Sequence, residues 1–132
     1  MSTQTTASVS THVLDTSVGR PAAGVPVRLS ARSTGQGPWT ALGASATDAD
    51  GRCKDLPAPP EGTVLVRLVF DTGAYFQTGR AESQQPAPAH RAGGPGPVFF
   101  PEVAIVFAVE AGEHYHVPLL LNPFGYSVYR GS

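Results

Sequence analysis

The sequence consists of short runs in which apolar and polar residues alternate, each ending in a turn signal. The clearest run spans 114–122, where the odd-numbered residues are apolar and the even-numbered ones include two histidines. A period of two is typical of a β-strand with one face towards a core, so we expect His114 and His116 on the opposite face. Residues 126–131 follow the turn sequence NPFG and are expected to return as the second strand of a hairpin.

Similar runs recur along the chain. Strands are expected at 10–15, 25–29, 39–46, 63–70 and 98–110, with a short extended segment at 52–56. Only residues 71–81 have the pattern of a helix, with Asp71 or Thr72 as its N-cap. About eight strands and one short helix predict an all-β sandwich in a single domain spanning 10–132.

Two segments do not fit the strand pattern. Residues 1–9 are rich in serine and threonine and are predicted to be a disordered N-terminal tail. Residues 83–97 are rich in proline, glycine and alanine and are predicted to be a mobile surface loop, unusually long for a compact domain.

The composition restricts the classes of partner. Only 14% of the residues are charged, against about 25% in an average domain, which favours a surface partly covered by copies of the chain. A formal net charge of −1 without a basic cluster argues against nucleic acid. No apolar run approaches the roughly 20 residues that cross a bilayer. The polar N-terminus does not resemble a secretory signal and Cys53 is the only cysteine, so a cytoplasmic protein is expected.

Several segments resemble those of a known family. THVLDTSVGRPAAGVPV at 11–27 and YHVPLLLNPFGYS at 115–127 are similar to the two signature stretches of the transthyretin-like family. The ending YRGS at 129–132 resembles the enzyme branch of that family, which hydrolyses 5-hydroxyisourate in purine (urate) catabolism. Asn122, where serine is usual, and the long segment 83–97 depart from the pattern.

The resemblance implies a fold, an assembly and a reaction. The fold would be a transthyretin-like sandwich of two four-stranded sheets with one short helix. The assembly would be a homotetramer, a dimer of dimers with its active sites at the dimer–dimer interface. The reaction would convert a small purine-derived substrate, 5-hydroxyisourate, into 2-oxo-4-hydroxy-4-carboxy-5-ureidoimidazoline, without a metal or other cofactor.

The resemblance also assigns site residues. The expected catalytic residues are His12, Arg52, His116 and Ser132, and the expected substrate-binding residues are Tyr129, Arg130, Leu120 and Gly131. Histidine has an ordinary pKa of about 6.5, so either His12 or His116 could deprotonate water. Arg52 could offer paired N–H donors to substrate oxygens. The two other histidines, at positions 90 and 114, are expected to be structural.

Two other functions compete with the hydrolase. A transthyretin-like protein could bind a small apolar ligand in the same place without catalysis, but His12, Arg52 and His116 make a polar lining that such a ligand does not need. Alternatively, His12, His114 and His116 could hold zinc. No carboxylate or thiol lies at matching spacing for that site, so no metal is expected.

Overall fold

The computed structural model describes residues 5–79 and 98–131, and its strands form two packed sheets. The strands are β1 (Ser8–Asp15), β2 (Arg20–Pro21), β3 (Pro26–Arg32), β4 (Thr40–Ala46), β5 (Arg52–Cys53), β6 (Leu65–Phe70), β7 (Val103–Ala108), β8 (His114–Asn122) and β9 (Gly125–Val128). One short helix follows β6: the α-helical turn α1 (Thr72–Ala74) continues as a π-helical turn (Tyr75–Gly79). The Asp71 side chain caps α1 by accepting the Ala74 N–H at 3.0 Å.

The prediction of an all-β sandwich with one short helix is confirmed, with one correction to the sheets. The second sheet has four strands, in the order β4–β3–β6–β7, but the first has five. Its main order is β2–β1–β8–β9, and β5 also pairs with β1. Because β8 occupies one edge of β1 along its whole length, β2 and β5 share the other edge as two short successive partners. The predicted four and four strands are therefore five and four.

The core lies between the sheets and is built from the inward face of each strand. On β8 this face carries the odd-numbered residues, as the alternation predicts. Fully buried side chains come from both sheets: Val13, Leu119 and Leu121 from the first, and Val27, Leu29, Val66, Leu68, Phe70 and Val103 from the second. The even-numbered residues of β1 and β8 consequently lie on the outer face of the first sheet.

Some predicted boundaries change. The first strand begins at Ser8 and Val9 is buried, so the prediction of a disordered tail is wrong at these two positions, because both pair with β8. β7 is shorter than predicted, because the carbonyls of Phe100 and Pro101 accept hydrogen bonds from Thr72 and Gly73 of α1 instead of joining the sheet. Residues 1–4 and the predicted loop 83–97 lie outside the described residues.

Candidate functional site

The outer faces of β1 and β8 bring serine and histidine side chains together. The two strands pair in parallel, and their register places Ser8 beside His114 and Ser10 beside His116. His12, two residues further along β1, lies beside Pro118. Since residues two apart on a strand share a face, these side chains form one outer surface.

A tight turn brings Arg52 to the same surface. β5 pairs with β1 so that His12 lies directly opposite Arg52. The Asp48 carboxylate holds the turn by accepting the backbone N–H of Asp50 at 2.9 Å and of Arg52 at 3.0 Å. These hydrogen bonds lower the pKa of Asp48, and the one from the Arg52 N–H contributes most.

Gly51 is the residue that lets this turn approach β1. Its φ is +77°, and its carbonyl accepts the Val13 N–H at 2.7 Å. A Cβ at position 51 would lie 2.4 Å from the Val13 carbonyl oxygen. Only glycine combines that backbone conformation with that contact, so the glycine fixes where Arg52 leaves the turn.

The hydrogen bond of His12 fixes its tautomer. Its Nε2 lies 3.0 Å from the Asp50 carbonyl oxygen. Because a carbonyl oxygen can only accept, Nε2 carries the proton, and Nδ1 of a neutral His12 keeps its lone pair. The turn that positions Arg52 therefore also orients His12.

His116 is half-buried and held on two sides. Its Nδ1 lies 2.8 Å from the Ser10 hydroxyl, and its backbone carbonyl accepts the Gly131 N–H at 2.7 Å. A Cβ at position 131 would lie 2.9 Å from the His116 ring, so Gly131 packs closely against it. Among the described residues, none forms a hydrogen bond with His116 Nε2, which is the ring nitrogen left for a ligand.

The surroundings of His116 keep its imidazole neutral. Burial is the largest cause of its lowered pKa. Electrostatic repulsion from His12, Arg52 and His114 lowers the pKa further. A neutral imidazole beside a guanidinium can take a proton from water while the guanidinium stabilises a developing negative charge.

The structure therefore brings together three of the predicted site residues, namely His12, Arg52 and His116. The other predicted residues differ in how close they lie to this group. Gly131 is in contact with His116. Leu120 lies on the same outer face, four residues along β8, at a distance of roughly 13 Å. Ser132 and His90 lie outside the described residues.

Tyr129 and Arg130 lie on a different side of β8 from the His116 ring in the single chain, although Arg130 donates to the His114 backbone carbonyl at 3.3 Å. The Arg130 guanidinium stacks 4.4 Å from the centre of the Tyr115 ring and pairs with Glu113 at 3.2 Å. Tyr115 faces the core, so these contacts are on the side of β8 opposite His116. Together with Tyr115 and Val128, the two residues line a separate cavity of about 250 Å³.

Sequence reasoning missed the hydroxyl partners of the histidines. Ser8 and Ser10 lie within hydrogen-bond distance of His114, and Ser10 also of His116. Ser10 and Ser8 precede His12 by two and four residues. This spacing was the signal in the sequence, because it places all three side chains on the same face of β1.

Residues 5–79 and 98–131 contain neither a metal-binding cluster nor a helix able to span a membrane. No group of three or more His, Cys, Asp or Glu side chains in them could hold a metal ion. None of the helices in these ranges is long and apolar enough to span a membrane.

Comparison with known proteins gives consistent matches over most of the chain. A profile of the HIUase/Transthyretin family matches residues 9–131. The 5-hydroxyisourate hydrolase of Salmonella dublin is 39% identical over 126 residues, covering 94% of this chain and 80% of that protein. The uric acid degradation bifunctional protein TTL of Arabidopsis thaliana is 43% identical over 140 residues, covering 94% of this chain and 37% of that protein.

Solved structures show the same fold in two kinds of protein. The 5-hydroxyisourate hydrolase of Klebsiella pneumoniae has a TM-score of 0.69 and 35% identity, covering 96% of this chain and 99% of that one. Transthyretin from Sparus aurata also has a TM-score of 0.69, with 27% identity, covering 93% of this chain and 95% of that one. Because the two scores are equal, the backbone alone does not separate the hydrolase from transthyretin, and the side chains must do so.

Proposed function

The chain belongs to the HIUase/Transthyretin family, and from that premise we propose that it hydrolyses 5-hydroxyisourate in urate catabolism. The relative in Salmonella dublin supports the substrate, and the one in Arabidopsis thaliana supports the pathway. The observation that carries the proposal is the meeting of His12, Arg52 and His116 on one outer face of the first sheet. The chain is thus a hydrolytic enzyme.

In the proposed mechanism, His116 is the general base. Its Nε2 takes a proton from water as the water oxygen bonds to a ring carbonyl carbon of the substrate. The carbonyl oxygen becomes an oxyanion, the ring C–N bond then breaks, and the departing nitrogen takes the proton that remains on the added oxygen, which leaves a carboxylate. The lowered pKa of His116 supports this role, because the imidazole is already neutral at physiological pH.

Arg52 and His12 have complementary proposed roles. The Arg52 guanidinium donates N–H bonds to the developing oxyanion, a contribution typically worth about 2.7 to 4 kcal/mol per donor. His12, held by the Asp50 carbonyl, presents Nδ1 to the substrate or to the attacking water. The reaction described has no redox step, and these side chains supply the base and the oxyanion donors that it needs.

The remaining predicted residues are proposed to complete the pocket. Gly131 already packs against His116, and Ser132 follows it directly in sequence, which supports both assignments. Leu120 would supply apolar contact further along β8. Tyr129 and Arg130, which line the cavity on the opposite side of β8 in the single chain, are proposed to contact the substrate bound by another copy of the chain.

We further propose a homotetramer with its sites at the dimer–dimer interface, in the cytoplasm. The small charged fraction and exposed apolar side chains such as Val106, Val128 and Tyr129 support self-association. Cys53, the only cysteine, is buried and free, which suits a reducing compartment.

The test is turnover of freshly generated 5-hydroxyisourate, followed by ultraviolet absorbance with spontaneous decay subtracted. His116→Ala and Arg52→Ala are each expected to lower kcat by about 10²-fold or more, because each removes a group acting in the transition state. Arg20→Ala is the matched control, since Arg20 is exposed on β2, which pairs with Leu14 and Asp15 of β1 and not with His12. Both site variants turning over at the wild-type rate, with circular dichroism unchanged, would contradict the assignment.

A transthyretin-like binding protein without catalysis remains the competing function. The TM-score of 0.69 with transthyretin from Sparus aurata, equal to that with the hydrolase, makes this alternative compatible with the fold. Wild-type protein that leaves the spontaneous decay rate unchanged, while binding a small apolar ligand at the outer face, would establish this alternative.

A further inference from the structure

The hydrogen bonds around His116 continue beyond it to the protein surface. Ser10 Oγ lies 2.8 Å from His116 Nδ1 and 3.0 Å from His114 Nε2. His114 Nδ1 lies in turn 2.7 Å from the Ser8 hydroxyl. His114 is exposed, whereas His116 is half-buried. An unbroken row of hydrogen bonds therefore runs from His116 through Ser10 to the exposed imidazole of His114.

When both histidines are neutral, the hydrogen bonds of this row can point in only two ways. The Ser10 hydroxyl has one proton and touches two imidazole nitrogens, so it donates to one of them and accepts from the other when both bonds are formed. In the first arrangement His116 Nδ1–H donates to Ser10, which donates to His114 Nε2. In the second, every bond is reversed and a neutral His116 carries its proton on Nε2. Only the first leaves the Nε2 lone pair free to accept a proton from water.

We propose that Ser10 and His114 are positioning residues of the hydrolase, which hold His116 with its proton on Nδ1 and carry away the proton it gains. This inference rests on the proposed function of the same site and adds two residues to it. It also assigns to His114 a role that its place at the start of a strand does not predict.

The transfer balances atom by atom. When Nε2 takes a proton from water, His116 becomes an imidazolium with a proton on each nitrogen. Its Nδ1–H bond then breaks as the proton passes to Ser10 Oγ, and the hydroxyl proton of Ser10 passes to His114 Nε2. The serine is regenerated, His116 is neutral again, and the positive charge is on His114, whose Nδ1–H donates to Ser8.

The charges around the two histidines favour this direction. His116 faces His12 of β1 and Arg52 of β5, and both disfavour an imidazolium there. His114 is exposed to water, which solvates a cation. Arg130 donates to the His114 backbone carbonyl at 3.3 Å, and its guanidinium is paired with Glu113 at 3.2 Å. The charge therefore moves from a half-buried position beside the Arg52 guanidinium to a hydrated one.

Ser10 variants test the positioning role. Ser10→Ala is expected to lower kcat about 10-fold with KM changed less than about twofold, because the base loses its preferred tautomer while the substrate contacts remain. Ser10→Thr keeps the hydroxyl and is expected to recover most of the loss. The matched control is Ser33→Ala, an exposed serine beyond β3 that should behave as wild type. Ser10→Ala turning over at the wild-type rate would overturn the role of Ser10.

His114→Ala tests the transfer itself. In dilute buffer its kcat is expected to fall about fivefold, and added imidazole should restore it by accepting the proton from solution. The same imidazole should leave the wild-type rate unchanged. A His114→Ala variant that matches the wild type in dilute buffer, or that gains nothing from imidazole, would overturn the relay.

An NMR measurement separates this inference from the proposed function. The ¹⁵N shifts of neutral His116 are expected to show a protonated Nδ1 and an unprotonated Nε2 in the wild type and in Ser33→Ala, and a mixture in Ser10→Ala. A wild-type His116 protonated on Nε2 would overturn the inference even if the substrate is hydrolysed. A wild-type protein without turnover would instead overturn the proposed function, whichever tautomer is found.

Discussion

At the scale of single residues, the proposed mechanism depends on keeping the His116 imidazole neutral. Burial and the neighbouring cations lower the pKa of His116 together, so its uncharged form persists as the pH falls below about 6.5, the ordinary histidine value. The acid limb of activity is therefore expected below that value, where protonation of His116 removes the base.

Removing the charge of Arg52 should move this titration. In Arg52→Gln the pKa of His116 is expected to rise towards the ordinary value, because one of the cations that disfavour the imidazolium is gone. An NMR titration of the His116 ring measures the change without depending on turnover. Arg20→Gln, at an exposed position on β2, should leave the midpoint unchanged. An unmoved or lowered midpoint in Arg52→Gln would contradict the electrostatic account.

The sequence predicts some of these residues better than others. The alternation in β8 and the family resemblance are enough to place His12, Arg52 and His116 in one site. They do not place Arg130, because its position comes from stacking on Tyr115, and a long flexible side chain can reach either side of a strand. Nor could they find the pairing of Ser10 with His116, which depends on the parallel register of β1 and β8.

At the scale of secondary-structure elements, the turn at 48–51 is the part that brings distant residues together. It pairs Arg52 with His12 through β5 and supplies the carbonyl that orients His12. The sequence TDADG predicts the turn correctly, because Gly51 permits a positive φ. The sequence does not reveal that the turn packs against β1, and this contact is what brings Arg52 beside His12.

Comparing Gly51→Ala with Gly24→Ala should separate the effect of this contact on the unfolding free energy from the effect of backbone strain. Its Cβ would meet the Val13 carbonyl oxygen at 2.4 Å in addition to the positive φ, so a loss of about 3 kcal/mol or more in unfolding free energy is expected. Gly24→Ala is the control, because its φ of +79° is similar but nothing lies within 4 Å of the added carbon. That variant should lose only about 1 to 2 kcal/mol. Equal losses in urea unfolding would contradict the packing argument.

At the scale of the whole molecule, the sandwich was predictable and its details were not. Alternating runs fix which face of each strand is buried, as Leu119 and Leu121 illustrate. Two-residue strands such as β2 and β5 are too short to carry a periodic signal. Their existence depends on the free edge of β1, which only the assembled sheet defines.

The proposed assembly can be tested by mass and by one pair of variants. Light scattering is expected to give four times the 13.7 kDa of one chain. Val128→Asp, on the edge strand β9, should lower that mass, because it places a charge among exposed apolar side chains. Val64→Asp is the control, since Val64 is exposed to a similar degree but lies just before the inner strand β6. A wild-type protein with the mass of a single chain would contradict the tetramer.

The parallel pairing of β1 with β8 also governs when the protein can work. Ser10 and His116, whose side chains are hydrogen-bonded, are separated by 106 positions in the chain. A ribosome that has synthesised β1 must therefore add more than a hundred residues before its neighbour exists, and contacts of such long range slow folding. Activity is thus expected to appear only after β8 has left the exit tunnel, so that translation itself sets the delay.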